Sequence, residues 1–120
     1  MPIHRTAIPV LGDEINPRFD LATEVIILQT ADKTNLQDKK SVVLPRSSAD
    51  ELCHILLSEK IDTLICGALE DEYYEFLNWK EIEVYDAVSG TWAHAFERWQ
   101  TRTLKSGDIL PMRMVEGELI

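Results

Sequence analysis

The sequence has little cysteine and no long apolar segment. Its 120 residues include two cysteines, Cys53 and Cys66, which are too few for the disulfide framework of a small secreted domain or for a four-cysteine zinc site. No apolar run approaches the roughly 20 residues that a membrane-spanning helix needs, and residues 1–6 lack the apolar stretch of a signal peptide. We therefore expect a cytoplasmic protein with no membrane partner.

Positive charge is also scarce. Lys and Arg number 12 against 21 Asp and Glu, which gives a net charge of −9. Proteins that bind nucleic acid usually carry a basic face, because much of their affinity comes from neutralising phosphates. The largest basic cluster here is the pair Lys39–Lys40. This argues against DNA and RNA as partners, and the same charge would repel an anionic membrane.

The remaining composition is that of a folded domain. The hydrophobic fraction of 45% and the charged fraction of 28% are typical of globular proteins and not of disordered ones. A chain of this length makes one domain. We predict that this domain spans residues 1–105 and that residues 106–120 form an irregular C-terminal tail.

Apolar segments with two different periods alternate along the chain and predict the element order βββαβαβα. The expected strands and helices lie at 6–11, 24–29 and 41–44, then 48–60 (helix), 63–66, 70–80 (helix), 83–85 and 91–103 (helix). Residues 30–39 are expected to form a polar loop. Because strand–helix–strand connections pair parallel strands, we predict a mixed five-stranded sheet in a three-layer α/β/α sandwich, with the first strand beside the fourth.

Apolar residues at strand and helix spacing define the expected core. Ser48 and Glu51 form a capping box that starts the first helix. Trp92, Phe96 and Trp99 form a stripe on the third helix that belongs to the core or to an oligomer surface. The core residues that we expect are Ile8, Val10, Ile26, Leu28, Val43, Leu52, Leu56, Leu64, Ile65, Phe76 and Phe96.

Four segments occur in an order that is typical of one known family. They are Ile8-Pro9-Val10 with Gly12-Asp13, the loop Asn16–Asp20, Ile65-Cys66-Gly67-Ala68, and Val88-Ser89-Gly90-Thr91. Over roughly residues 5–105 the chain resembles the dinitrogenase iron–molybdenum cofactor biosynthesis family, the nitrogenase accessory factor-like domains. In that family the corresponding motifs read I-P-V, G-D, S-P-H-F-G, I-C-G-G and V-S-G-T.

The resemblance implies a ribonuclease H-like fold and a binding role instead of catalysis. Family members bind or carry iron–sulfur and iron–molybdenum clusters, so we expect a small carrier that holds such a cluster, or a small anion, transiently during cofactor assembly. A protein partner in that assembly and a homo-oligomer are further expectations. The chain departs from the family pattern at Arg18, Asp20 and Ala68, which replace a histidine and two glycines. These changes motivate the alternative of a divergent member without a cluster that acts as a protein-interaction or oligomerisation module.

Nuclease activity of the ribonuclease H kind is not expected. It would need carboxylates on the central strands to hold two Mg²⁺ ions. Residues 6–10 and 63–66 include no Asp or Glu. We therefore expect the protein not to be an enzyme.

Ligands of open α/β sheets bind beyond the carboxyl ends of the parallel strands. The candidate cofactor-binding residues at this edge are Arg18, Cys66, Gly67, Ser89, Gly90 and His94. Cys66 is the candidate metal ligand if nearby N–H groups lower the pKa of its thiol; the alternative is a small apolar side chain that ends a buried strand.

Two other candidates at this edge also have two interpretations. The turn Ser89-Gly90-Thr91 either presents N–H donors to an anion or simply caps the third helix. Arg18 either pairs with an anionic cluster or with Asp13, Glu14 or Asp20.

Overall fold

The computed structural model describes residues 3–32 and 34–111, in which six strands and three helices form a three-layer α/β/α sandwich. The strands are β1 (Ile3–Leu11), β2 (Glu14–Ile15), β3 (Glu24–Ala31), β4 (Asn35–Val43), β5 (Thr63–Ile65) and β6 (Glu83–Tyr85). The helices are α1 (Ala49–Ser58), α2 (Asp71–Trp79) and α3 (Trp92–Gln100), and a short 3-10 helix spans Phe19–Leu21.

The main sheet has the order β4-β3-β1-β5-β6. β1 pairs antiparallel with β3 and parallel with β5, where Thr6 lies opposite Thr63. The predicted mixed sheet, with the first strand beside the strand that precedes Cys66, is therefore confirmed, although that strand ends at Ile65, one residue before its predicted end. The predicted number of five strands is too small by one, because the two-residue strand β2 folds back onto the end of β1.

The prediction of a polar loop over residues 30–39 is wrong. β3 runs on to Ala31 and β4 begins at Asn35, so the two strands form a tight hairpin. β4 lies at the outer edge of the sheet, where both of its faces reach solvent, and its polar residues are held as a strand by backbone pairing with β3 and not by burial. Val43 at the end of β4 is 71% exposed, so the prediction that it belongs to the core is wrong.

The core is divided between the two faces of the sheet. Leu52 and Leu56 of α1 and Leu77 of α2 pack on one face, and Phe96 and Trp99 of α3 pack on the other. Apart from Val43 and Phe76, which is partly buried, the predicted core residues are buried. The stripe on α3 is thus mainly core.

Two residues after the last residue of each helix, the chain takes the left-handed conformation. Lys60, Glu81 and Arg102 have φ values of +56°, +67° and +63°. Glycine is the usual residue at this position, and another residue costs about 1 kcal/mol there. Without glycine the sequence gives no clear stop signal, and the third helix ends at Gln100, three residues before its predicted end.

The start of α1 follows the sequence closely. The Ser48 hydroxyl accepts a hydrogen bond from the Glu51 amide at 3.2 Å, as the capping box predicts. None of the three described helices, each of nine or ten residues, has the length and hydropathy that a bilayer crossing demands. Residues 112–120, which belong to the predicted tail, lie outside the described residues.

Candidate functional site

Two of the predicted loops meet at the carboxyl ends of β1 and β5. The amide of Ala68 donates to the carbonyl of Pro17 at 2.8 Å, and the amide of Phe19 donates to the carbonyl of Ala68 at 3.0 Å. These bonds hold the loop around Arg18 against the turn that follows Cys66. The structure therefore places Arg18, Cys66 and Gly67 at one edge, which we call the carboxyl edge.

Gly67 makes this contact between the loops geometrically possible. A Cβ atom at this position would overlap the backbone carbonyl groups of Asn16 and Pro17. A main-chain atom cannot rotate away as the end of a side chain can. Glycine is therefore required here by close approach of the backbone, and this accounts for the residue without any ligand.

Cys66 lies inside the core, behind the turn. Its side chain is 0% exposed and packs in the cluster beneath α1 and α2. Burial, reinforced by the negative charge of Asp86, raises the pKa of the Cys66 thiol well above its usual range. This direction is opposite to the lowered pKa on which the prediction of a metal-ligating Cys66 depends.

Arg18 is engaged by a neighbour on its own loop. Its Nε donates to Asp20 Oδ1 at 3.1 Å and its Nη2 donates to Asp20 Oδ2 at 2.7 Å, a two-bond pairing of guanidinium with carboxylate. The side chain remains 56% exposed. Of the three carboxylates considered for Arg18, Asp20 is the one that it contacts in this way.

The turn Ser89-Gly90-Thr91 is covered by a later part of the chain. The amides of Ser89 and Thr91 donate to the carbonyls of Asp108 and Pro111, and the amide of Leu110 donates back to Ser89. Leu110 is only 5% exposed and packs where a Cβ atom on Gly90 would stand. The predicted anion donors at Ser89 and Thr91 are thus satisfied by backbone carbonyls.

The first turn of α3 is capped locally. Thr91 Oγ1 accepts from the His94 amide at 3.3 Å and lies 2.6 Å from His94 Nδ1. The amide of Trp92 donates to the carbonyl of Asp13. His94 is therefore positioned by the helix cap, and the capping interpretation of this turn accounts for the contacts.

The donor set does not fit a resident metal–sulfur cluster. Such clusters are held by several thiolates. Within the ranges 3–32 and 34–111, no three His, Cys, Asp or Glu side chains are grouped so that they could hold a metal ion. The one cysteine at the carboxyl edge is fully buried, and burial raises the pKa of its thiol.

Sequence reasoning missed an open groove on the sheet face that α1 and α2 cover. It has a volume of about 460 Å³ and separates α1 from α2. Its α1 residues lie at positions i, i+3, i+4 and i+7, a spacing that would have marked a common helix face. The groove, called the α1–α2 groove below, is lined by Asp50, Cys53, His54, Leu57, Glu72, Tyr73 and Phe76.

A family model described as dinitrogenase iron–molybdenum cofactor matches residues 3–102. The chain belongs to this family. Its sandwich is the fold that the sequence resemblance implied. No curated protein matches the sequence.

Several solved structures share the fold. PH0822 superimposes with a TM-score of 0.76 at 16% identity, over 85% of this chain and 93% of its own. A candidate dinitrogenase from Methanocaldococcus jannaschii gives a TM-score of 0.70 at 21% identity, over 88% and 95%. A candidate NifB protein from Thermotoga gives 0.66 at 19%, over 95% and 98%. At these identities the likeness establishes the fold alone.

Proposed function

We propose that this protein is a non-catalytic accessory protein of metallocofactor assembly that acts by contacting another protein and not by ligating a cluster with its own thiol. Its membership of the dinitrogenase iron–molybdenum cofactor family supports the cofactor-assembly part of this proposal. The observation that carries the rest is the complete burial of Cys66.

Ligation by Cys66 would require two unfavourable changes. The thiol would have to leave its core packing to reach a metal, and it would have to lose a proton although burial raises its pKa. The cluster, itself an anion, would also approach a protein of net charge −9. Substitution of the family's loop histidine and glycines by Arg18, Asp20 and Ala68 falls at the same edge.

Anaerobic reconstitution with iron, sulfide and molybdate tests the proposal. We expect sub-stoichiometric metal and no charge-transfer bands in the visible spectrum, with the same result for the wild type and for Cys66→Ala. A stoichiometric cluster in the wild type that is lost in Cys66→Ala would overturn the proposal. The far-UV circular dichroism of both proteins controls for folding.

Transient carriage of an anionic cluster at Arg18 is the second candidate function. It is favoured by the exposure of the Arg18 guanidinium. The backbone of Arg18 forms a β-bridge with Ala68, which places this residue beside the Cys66 turn. A cluster would have to compete with Asp20 for this cation. Outer-sphere binding of this kind needs no thiolate, so it is compatible with the burial of Cys66.

Titration of molybdate, sulfate or a preformed cluster into the wild type and Arg18→Glu tests the carrier function. If the carboxyl edge binds an anion, we expect Arg18→Glu to weaken binding by well over tenfold, since it replaces attraction by repulsion. Equal affinities would exclude this edge as a binding site.

A further inference from the structure

The α1–α2 groove is open although the helices on either side of it pack on the same sheet face. Leu52, Leu56 and Leu77 point into the core below it. The residues that line the groove lie on each helix next to the residues that pack in the core, and they leave a space of about 460 Å³ between the helices. Asp50 on α1 and Tyr73 on α2 both line it; burial raises the pKa of the Tyr73 hydroxyl, and the charge of Asp50 raises it further.

The groove combines an apolar floor with acidic walls. Leu57 and Phe76 supply apolar surface, and the thiol of Cys53 stays protonated because burial, aided by the charge of Asp50, raises its pKa to about 11. Asp50 and Glu72 supply negative charge, and no Lys or Arg is among the described residues that line the groove. An occupant should therefore be apolar on one side and positively charged on its flanks.

An exposed aromatic residue extends this surface along α2. Trp79 is 73% exposed, and its ring centroid lies 6.5 Å from that of Phe76. The ammonium of Lys80 lies over both rings, 4.5 Å from the centroid of Trp79 and 5.8 Å from that of Phe76. A Lys or Arg of a partner would have to take the place of Lys80 to make the same contact with these rings.

We propose that the α1–α2 groove is the docking site for a basic amphipathic helix of a partner protein. The proposal rests on the proposed function as a protein-binding accessory factor, and it names the surface and the chemistry of the partner. Charge complementarity selects the occupant: an acidic or neutral segment would meet Asp50 and Glu72 without compensation, whereas lysines or arginines beside an apolar stripe would pair with them.

The length of the groove sets the size of the occupant. α2 has nine residues, which corresponds to about 13 Å at the 1.5 Å rise of a helix. A helix lying along it would contact the floor over two to three turns, so about three apolar side chains spaced three or four residues apart would anchor it.

A designed peptide provides the probe. It is a fluorescein-labelled 14-residue helix with one leucine stripe and lysines elsewhere, compared with two control peptides in which glutamate replaces lysine or glutamine replaces leucine. We expect fluorescence anisotropy to detect binding of the first peptide alone. In the full-length, isotopically labelled protein, amide shifts should be confined to residues 50–57 and 72–80.

Charge-matched variants separate docking at the groove from general attraction to an acidic protein. Glu72→Lys and Glu97→Lys each replace −1 by +1 and change the net charge from −9 to −7, but Glu97 lies on α3, against the opposite sheet face. We expect Glu72→Lys to weaken peptide binding about tenfold and Glu97→Lys less than twofold. Trp79→Ala should also weaken it about tenfold.

Three outcomes would overturn the docking proposal: no binding by the wild type, equal effects of Glu72→Lys and Glu97→Lys, or amide shifts away from the groove. None of these would restore ligation by Cys66, which is decided by the anaerobic reconstitution. Conversely, a stoichiometric cluster would overturn the proposed function while leaving the peptide result to be judged separately. Thermal melting of each variant shows that it is folded.

Discussion

The carboxyl edge and the α1–α2 groove differ in how many of their polar and apolar groups already contact other parts of the chain. At the edge, the amides of Ala68, Ser89 and Thr91 donate to backbone carbonyls, and Arg18 pairs with Asp20. In the groove, apolar and acidic side chains from two helices face an open space. Family motifs mark the first region, and no motif marks the second.

The difference separates motifs that build a fold from surfaces that remain available to a partner. Glycine in the I-C-G segment and glycine in the V-S-G-T segment both stand where another part of the chain passes too closely for a Cβ atom. Backbone geometry alone therefore requires glycine at both positions, whether or not a ligand binds there.

Of the changes in the two compared regions, Gly67→Ala should give the largest effect on stability, because it directly breaks the contact between loops at the carboxyl edge. Its Cβ would overlap two backbone carbonyls that cannot rotate away, and we expect a loss of about 3 kcal/mol in the free energy of unfolding. Gly12→Ala is the control: Gly12 has φ +65°, but a Cβ atom there would meet no other atom within 4 Å, so it should cost about 1 kcal/mol. Urea denaturation measures both, and equal losses would contradict the argument from close approach.

Cys66→Ser tests whether the edge cysteine is part of the core. A hydroxyl at a fully buried apolar position should cost about 2 kcal/mol. Cys66→Ala changes the volume without adding a polar group and should cost less. If Cys66→Ser is as stable as the wild type in urea denaturation, the thiol must have access to water or to a hydrogen-bond partner.

Alkaline pH sharpens the comparison of the two cysteines. Both thiols have a raised pKa in the folded protein, about 11 for Cys53 and further upward for Cys66, against an ordinary value of 9.0. Above pH 9 the unfolded chain therefore loses protons that the folded chain retains, and stability should fall as pH rises.

The expected slope is at most about 1.4 kcal/mol per pH unit for each thiol. Denaturation curves from about pH 8 to 9.5 should show this fall, and because Tyr73 and Tyr85 also have a raised pKa in the folded protein, only the difference between the wild type and Cys66→Ala is assigned to the thiol. Cys66→Ala should remove the part of the slope that the Cys66 thiol contributes. An unchanged slope in Cys66→Ala would show that this thiol does not stay protonated on folding.

Trp79→Ala should give the smallest effect on stability. The side chain is 73% exposed, and substitutions at such positions usually change the free energy of unfolding by less than about 0.5 kcal/mol. Buried Trp99 on α3 is the contrast, with an expected loss of about 3–5 kcal/mol on replacement by alanine. A large loss for Trp79→Ala in thermal melting would mean that this ring stabilises the fold and is not kept free for a partner.

Much of the fold could be predicted because local pattern and tertiary structure agree. The branched residues of β3 pack on both faces of the sheet, Ser48 caps α1, and the stripe on α3 faces the core, so in each case the local pattern carries the information. The prediction was wrong over the first part of β4, residues 35–39, where polar residues form a strand through pairing with β3. Helix ends were uncertain where Lys60, Glu81 and Arg102 take the place of glycine.

The sequence by itself determined the order of the helices and long strands and the acidic character of the protein, because these depend on side-chain period and charge. The tertiary structure decided which groups stay accessible. It buries Cys66 under two helices, covers the Ser89 turn with Leu110 and leaves the groove between α1 and α2 open. Accessibility depends on how distant segments pack, and no local spacing encodes it.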